Sequence, residues 1–206
     1  MTIPAASEKN FPKARFGPSY LSAIMGKIFK WPASGIHCER LAGDASDRSY
    51  FRVSLKNSGE AHGGGVQKGP QSSMVMQLKE PVSEPKTDFT RILKFFRKLD
   101  LPTPELFYYD APMGLLFLED CGTMTLEDQL NAFPQSKTQL YRQAVELLVH
   151  MQSRATQAID STCPAYHLKF DVKKLMGEFS FMLDHYVDEF CGSPLESLAR
   201  KELREA

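Results

Sequence analysis

The sequence predicts an α+β chain, with a small antiparallel sheet first and helices after it. Three observations carry this. Before Gly122, short apolar or alternating stretches are separated by turn chemistry. One amphipathic helical stretch interrupts those strands. After Gly122, apolar residues recur only at helical spacing. The resulting division is a tail and helix at 1–34, a sheet lobe at 35–121 and a helical portion at 122–206.

Residues 1–16 read as a loose tail with scattered charge, Pro4 and Pro12, and no long apolar core of a signal segment. Leu21, Ile24, Met25, Ile28 and Phe29 then mark a helix over 20–30, which Trp31-Pro32 ends. A weak strand is expected at 36–41, followed by the turn Gly43-Asp44-Ala45-Ser46-Asp47. Over 50–55 the alternation puts Phe51, Val53 and Leu55 on one face and Tyr50, Arg52 and Ser54 on the other. Residues 57–73 are rich in Gly, Ser and Lys and contain Gly63-Gly64-Gly65. They lack the G-x-x-x-x-G-K-[ST] pattern and no helix follows them, so they read as a flexible connection rather than a phosphate loop.

A third strand is expected at 74–78. Thr87 caps a helix that runs to about Leu99, with Phe89, Ile92, Leu93, Phe96 and Leu99 on one stripe. Leu101-Pro102-Thr103-Pro104 breaks the chain, and two more strands follow at 105–109 and 115–118. Thr125 and Asp128 have capping-box spacing for a short helix. Ser136 with Gln139 opens a longer one, to about Ser153, whose apolar residues lie on several sides. Asp171 caps the next helix, and Ser193-Pro194-Leu195-Glu196 opens the last.

Composition excludes several function classes. Lys and Arg number 25, as do Asp and Glu, so the formal net charge is zero. That balance gives no general attraction to nucleic acid or to an anionic membrane. No apolar stretch is long enough to span a bilayer, and the expected location is the cytoplasm. The four cysteines, Cys38, Cys121, Cys163 and Cys191, are far apart and form no C-x-x-C pair. They read as reduced thiols, and His37 beside Cys38 has poor chelating spacing, so no metal ligands are expected within the chain.

The segment Leu41-Ala42-Gly43-Asp44-Ala45-Ser46-Asp47-Arg48-Ser49-Tyr50-Phe51-Arg52-Val53 resembles the nucleotide-loop hairpin of the aminoglycoside phosphotransferase family. Leu101-Pro102-Thr103-Pro104-Glu105-Leu106 resembles the stretch after that family's first helix. Gly114-Leu115-Leu116-Phe117-Leu118-Glu119-Asp120-Cys121-Gly122, with Thr125-Leu126, resembles its strand-to-hinge segment. The closest branch is that of sugar kinases acting on N-acetylmuramate and N-acetylglucosamine at the anomeric hydroxyl. The resemblance implies a protein-kinase-like fold, with a five-stranded antiparallel N-lobe carrying one helix and an incomplete helical C-lobe. It also implies ATP and Mg²⁺ as cofactors, and a small-molecule alcohol acceptor such as an amino sugar.

Phosphoryl transfer asks the protein mainly to position groups and neutralise charge. A tight hairpin of small residues lets backbone N–H groups approach phosphate oxygens, which suits Gly43, Ala45 and Ser46. Asp44 and Asp47 are odd neighbours for phosphates, and an ordinary hairpin turn is the alternative reading. The third strand of such a lobe carries a basic side chain that pairs with phosphates and with a helix acid. Here Gln77 stands where the basic residue is usual. Lys79 lies two residues on, with Arg48 or Arg52 as alternatives. Asp88 is the nearest candidate acid, and stabilising the first helical turn is its other reading. At the hinge, the resemblance implies that the Glu119 carbonyl and the Cys121 amide meet the adenine edge, while the side chains of Glu119 and Asp120 are hinge features.

The family's catalytic loop is a His-x-Asp followed by Asn, with a second Asp for the metal. None of His37, His62, His150, His167 or His185 is followed by Asp two positions on. Asn10, Asn57 and Asn131 do not follow an Asp at the needed spacing. No catalytic residue and no metal ligand is therefore expected in these residues, and the resemblance implies truncation before that loop. The expectation for the chain alone is inactivity. The other readings are a non-catalytic nucleotide-binding module, or an interaction module that offers its apolar helix faces to a protein.

Overall fold

The computed structural model describes residues 14–42, 47–56, 69–82, 87–192 and 195–205. The expected loop residues Gly43, Asp44, Ala45 and Ser46, most of the Gly-rich connection, and the Ser193-Pro194 cap lie outside the described residues. The chain divides into two compact units, Met1–Ala158 and Ile159–Ala206.

The first unit is built on a five-stranded sheet in the order β1-β2-β3-β5-β4. Its strands are β1 (Ile36–Arg40), β2 (Ser49–Leu55), β3 (Ser72–Gln77), β4 (Leu106–Asp110) and β5 (Leu115–Glu119). Every neighbouring pair is antiparallel. Helix α1 (Pro18–Phe29) precedes the sheet, and α2 (Asp88–Lys98) carries the chain from β3 to the far edge at β4. This is the expected α+β order of five strands with one helix inserted.

Strand alternation gives the sheet two apolar faces, each covered by one helix. Phe51, Val53, Val75, Leu115 and Phe117 pack with Phe16, Trp31 and, from α1, Leu21 and Met25. Met76, Leu116 and Leu118 point the other way and pack with Met74, Tyr50 and Phe89 of α2. Pro18 starts α1 at a position where its missing N–H costs nothing, and Lys30 ends the helix in the left-handed region at φ 61°. The Tyr20 hydroxyl donates to Asp110 at 2.6 Å and fixes α1 to the edge strand. Thr87 caps α2 by accepting from the Thr90 amide, while the Thr90 hydroxyl accepts from the Thr87 amide.

The N-terminal approach departs from the expected loose tail over its last residues. Phe16 is buried against Phe51 with edge-to-face ring centroids 5.1 Å apart. The Arg15 guanidinium donates to the carbonyls of Met113, Leu78 and Lys79, and the Arg15 amide donates to Gln77 Oε1 at 2.6 Å. A tail rich in Pro and charge carries no periodic signal, so only the sheet beneath it makes these residues legible. Gly114 makes the approach possible. Its φ is +64°, and a Cβ there would sit 2.9 Å from Arg15 Nη1 and 3.1 Å from Pro81 Cα.

Beyond the sheet come α3 (Leu126–Ala132) and α4 (Lys137–Ala158). The Thr125–Asp128 capping box forms as expected. Ser136 instead lies in a 3₁₀ turn and donates its hydroxyl to the Phe133 carbonyl. Helix α4 runs five residues past the expected end at Ser153, and none of its residues is buried. In the second unit, Asp171 caps α5 (Val172–Met182), which widens into π-helical turns over Leu183–Phe190. Helix α6 (Ser197–Glu205) holds that stretch through Arg200, which pairs with Asp184 and Asp188.

Candidate functional site

The α2 face of the sheet carries Arg52, which gathers the polar groups that follow β5. From the end of β5 the chain passes through Asp120, Cys121 and Gly122 before α3 begins. Asp120 is held from β2. Arg52 Nε and Nη2 lie 2.9 and 3.1 Å from its two carboxylate oxygens, and Nη2 also donates to the Gly122 carbonyl at 2.9 Å. The Gly122 amide donates to Asp120 Oδ1 at 3.0 Å, closing a small ring. Gly122 sits at φ +92°, a conformation open to glycine. Desolvation pushes the Asp120 carboxyl up. Hydrogen bonds from Arg52, the Gly122 amide and Ser72, together with the Arg52 charge, outweigh it and hold the group below the usual carboxylate range.

Within this clamp Glu119 and Cys121 have different surroundings. Glu119 ties β5 to the stretch before β4: its amide donates to the Glu105 carbonyl at 2.8 Å, and its carboxylate accepts from the Glu105 amide at 3.0 Å. Cys121 is exposed. Its amide makes no hydrogen bond among the described residues. Partial burial and the charges of Glu119 and Asp120 push its thiol up.

The basic candidates separate cleanly. Gln77 is in phase with Val75 and Ser73, so its side chain falls on the α1 face and accepts from Arg15. The β3 residue that faces α2 at this level is Met76. Lys79 lies beyond the end of β3 and pairs with Asp47 at 3.2 Å, both side chains being largely exposed. Asp88 is exposed and faces Arg91 one turn along α2, so the structure does not bring Lys79 and Asp88 together. Arg52 is occupied by the clamp. Arg48, half-buried one residue before β2, lies over the Phe89 ring at 5.6 Å from its centroid, with Nη1 4.0 Å from Met76 Sδ.

Reading the sequence missed the Arg52–Asp120 clamp, although both residues were in view. The signal was faint. Arg52 falls on the face opposite Phe51 and Val53, and an acid follows the last strand, but nothing in either segment states that β2 and the end of β5 meet.

A family model described as the phosphotransferase enzyme family matches residues 37–199. The chain belongs to that family. The five-stranded sheet with α2 is its kinase-like N-lobe, and the Glu119–Gly122 segment runs from the end of β5 toward α3. Kinases of this family use ATP and Mg²⁺. Cys121 is exposed, and the Arg48 guanidinium meets no carboxylate among the described residues. No group of three or more His, Cys, Asp or Glu side chains able to hold a metal occurs among the described residues. No helix among them is long and apolar enough to cross a membrane. No curated protein matches the chain.

Proposed function

We propose that this chain is the nucleotide-binding part of a cytoplasmic, ATP-dependent kinase that phosphorylates a hydroxyl of an amino sugar. In this reading the lobe boundary falls at 121/122. Membership of the phosphotransferase family gives the reaction class. The observation that carries the reading further is the hinge. The Cys121 amide, which makes no hydrogen bond among the described residues, follows the end of β5 beside the hydrogen-bonded group of Arg52, Asp120 and Gly122. A base that offers a donor and an acceptor on one edge is the ligand such a backbone recognises. Residues 43–46, which the family resemblance sets against the phosphates, lie outside the described residues.

These 206 residues carry no His-x-Asp followed by Asn, so the reading assigns them binding without turnover. The same observation supports a second reading, a nucleotide-binding or interaction module that needs no catalysis.

ATP and adenosine are expected to raise the melting temperature, because a ligand that binds only the folded state stabilises it. Peptide-resolved alkylation adds a local readout: either ligand should slow labelling of Cys121 while leaving exposed Cys191 unchanged. No thermal shift and no protection at saturating nucleotide would sink the hinge reading. A coupled ADP-release assay with N-acetylmuramate should show no acceptor-dependent turnover, and turnover would overturn the inactivity assigned to the chain.

A further inference from the structure

In phosphoryl transfer, a fixed cation in the sheet lobe neutralises the nucleotide phosphates. Four basic side chains stand on or beside the central strands. Arg40 pairs with Phe51 across β1 and β2, so it belongs to the α1 face, and its Nη2 reaches Ser49 Oγ at 3.4 Å. Arg52 is consumed by the two oxygens of Asp120 and the carbonyl of Gly122. Lys79 is outside the strand, two-thirds exposed and paired with Asp47.

Arg48 differs from all three. It is half-buried, lies on the α2 face, and meets no carboxylate among the described residues. Among the described residues its contacts are the Phe89 ring and the thioether of Met76. A thioether is a weak acceptor and a ring face accepts no strong hydrogen bond, so most of the five guanidinium donors are left to a ligand. Stacking on Phe89 holds the plane while leaving the donor edge open, an arrangement suited to bidentate phosphate contact. Position agrees with this. Arg48 lies four residues before Arg52 on nearly the same strand line, which puts it about 13 Å from the hinge clamp. That is the direction in which a nucleotide extends from its base toward its outer phosphates.

We infer that Arg48, and not Lys79, is the side chain that binds the nucleotide phosphates, replacing a basic residue on β3 from the adjacent strand. This rests on the nucleotide-binding reading above. It adds that the cation has moved to the residue just before β2, with Met76 filling the place on β3 beside it.

The test compares ATP, ADP, AMP and adenosine on wild type, Arg48→Gln, Arg48→Lys and Lys79→Gln by calorimetric titration. Losing hydrogen bonds to a charged group should weaken ATP binding about tenfold or more in Arg48→Gln. Adenosine binding should stay within about twofold of wild type, which also shows that the variant folds. Arg48→Lys should recover part of the loss by keeping the charge without the planar fork. Lys79→Gln should leave the ATP affinity within about twofold. The assignment is overturned if Arg48→Gln binds ATP normally, if it loses ATP and adenosine equally, or if Lys79→Gln is the variant that loses ATP. If wild type binds neither ATP nor adenosine, the nucleotide-binding reading fails and takes this assignment with it. Adenosine binding with no gain from added phosphates overturns the assignment alone.

Discussion

Phe117 in β5 is fully buried, whereas Val145 in α4 is 56% exposed. The contrast extends to the surroundings of both residues. Each face of the sheet is closed by a helix from the same unit, so alternate residues on β3 and β5 reach full burial in opposite directions. Helix α4 carries apolar residues on several sides and buries none of them. Similar residue types therefore do different work: in the sheet lobe they are the core, and in α4 they are surface. The lesson is that folding stability concentrates where the proposed nucleotide site is anchored.

The largest effect should come from Phe117→Ala, which removes a fully buried ring from the centre of the sheet. A loss of ~3–5 kcal/mol is expected in denaturant unfolding. Val145→Ala on α4 should stay within ~0.5 kcal/mol. Equal losses at the two sites would break the comparison.

Arg52→Ala comes next. It leaves the Asp120 carboxylate, 7% exposed, without its main partner. The expected cost is roughly 1.5–3 kcal/mol. The pH dependence gives an independent check. The folded-state pKa of Asp120 is depressed, so its contribution is fully present above the unfolded value of about 3.9. It is lost as pH falls below that value and through the folded pKa. Asp120→Asn should flatten this part of the acid-unfolding curve, and an unchanged curve would show that the clamp carries no linkage.

A smaller effect is expected at the helix caps. Thr87→Ala removes the cap of α2 beside buried Thr90 and should cost ~1 kcal/mol in global stability. Thr125→Ala removes the equivalent box from α3, which buries no residue. That change should appear as faster hydrogen exchange in α3, with little movement of the global midpoint. A global loss as large as that of Thr87→Ala would mean that α3 is part of the cooperative core.

Much of the fold could be read from the sequence, since strands and helices announce themselves by period and by caps. The stripe of α1, the Thr87 cap, the Thr125 box and the Phe51–Val53 face all form where the residues imply. Less of the candidate site was legible. Gln77 was read as standing in the basic position, yet it belongs to the α1 face and Met76 to the α2 face. A shift of one residue in strand phase exchanges the two faces, and a short strand buried on both sides gives little alternation to fix that phase. Arg15 and Phe16 escaped notice because a single buried ring and a single guanidinium leave no periodic trace.

By itself, the sequence determined the order of elements, the change from sheet to helices at Gly122 and the family resemblance, because these rest on local pattern and on contiguous motifs. The tertiary structure alone decided which cation faces which group. It joined Arg52 to Asp120 across 68 residues, set Lys79 against Asp47, and left Arg48 over Phe89 without a carboxylate among the described residues. Those pairings depend on strand register and on which helix covers which face. Both are settled by burial of the whole sheet rather than by any one segment.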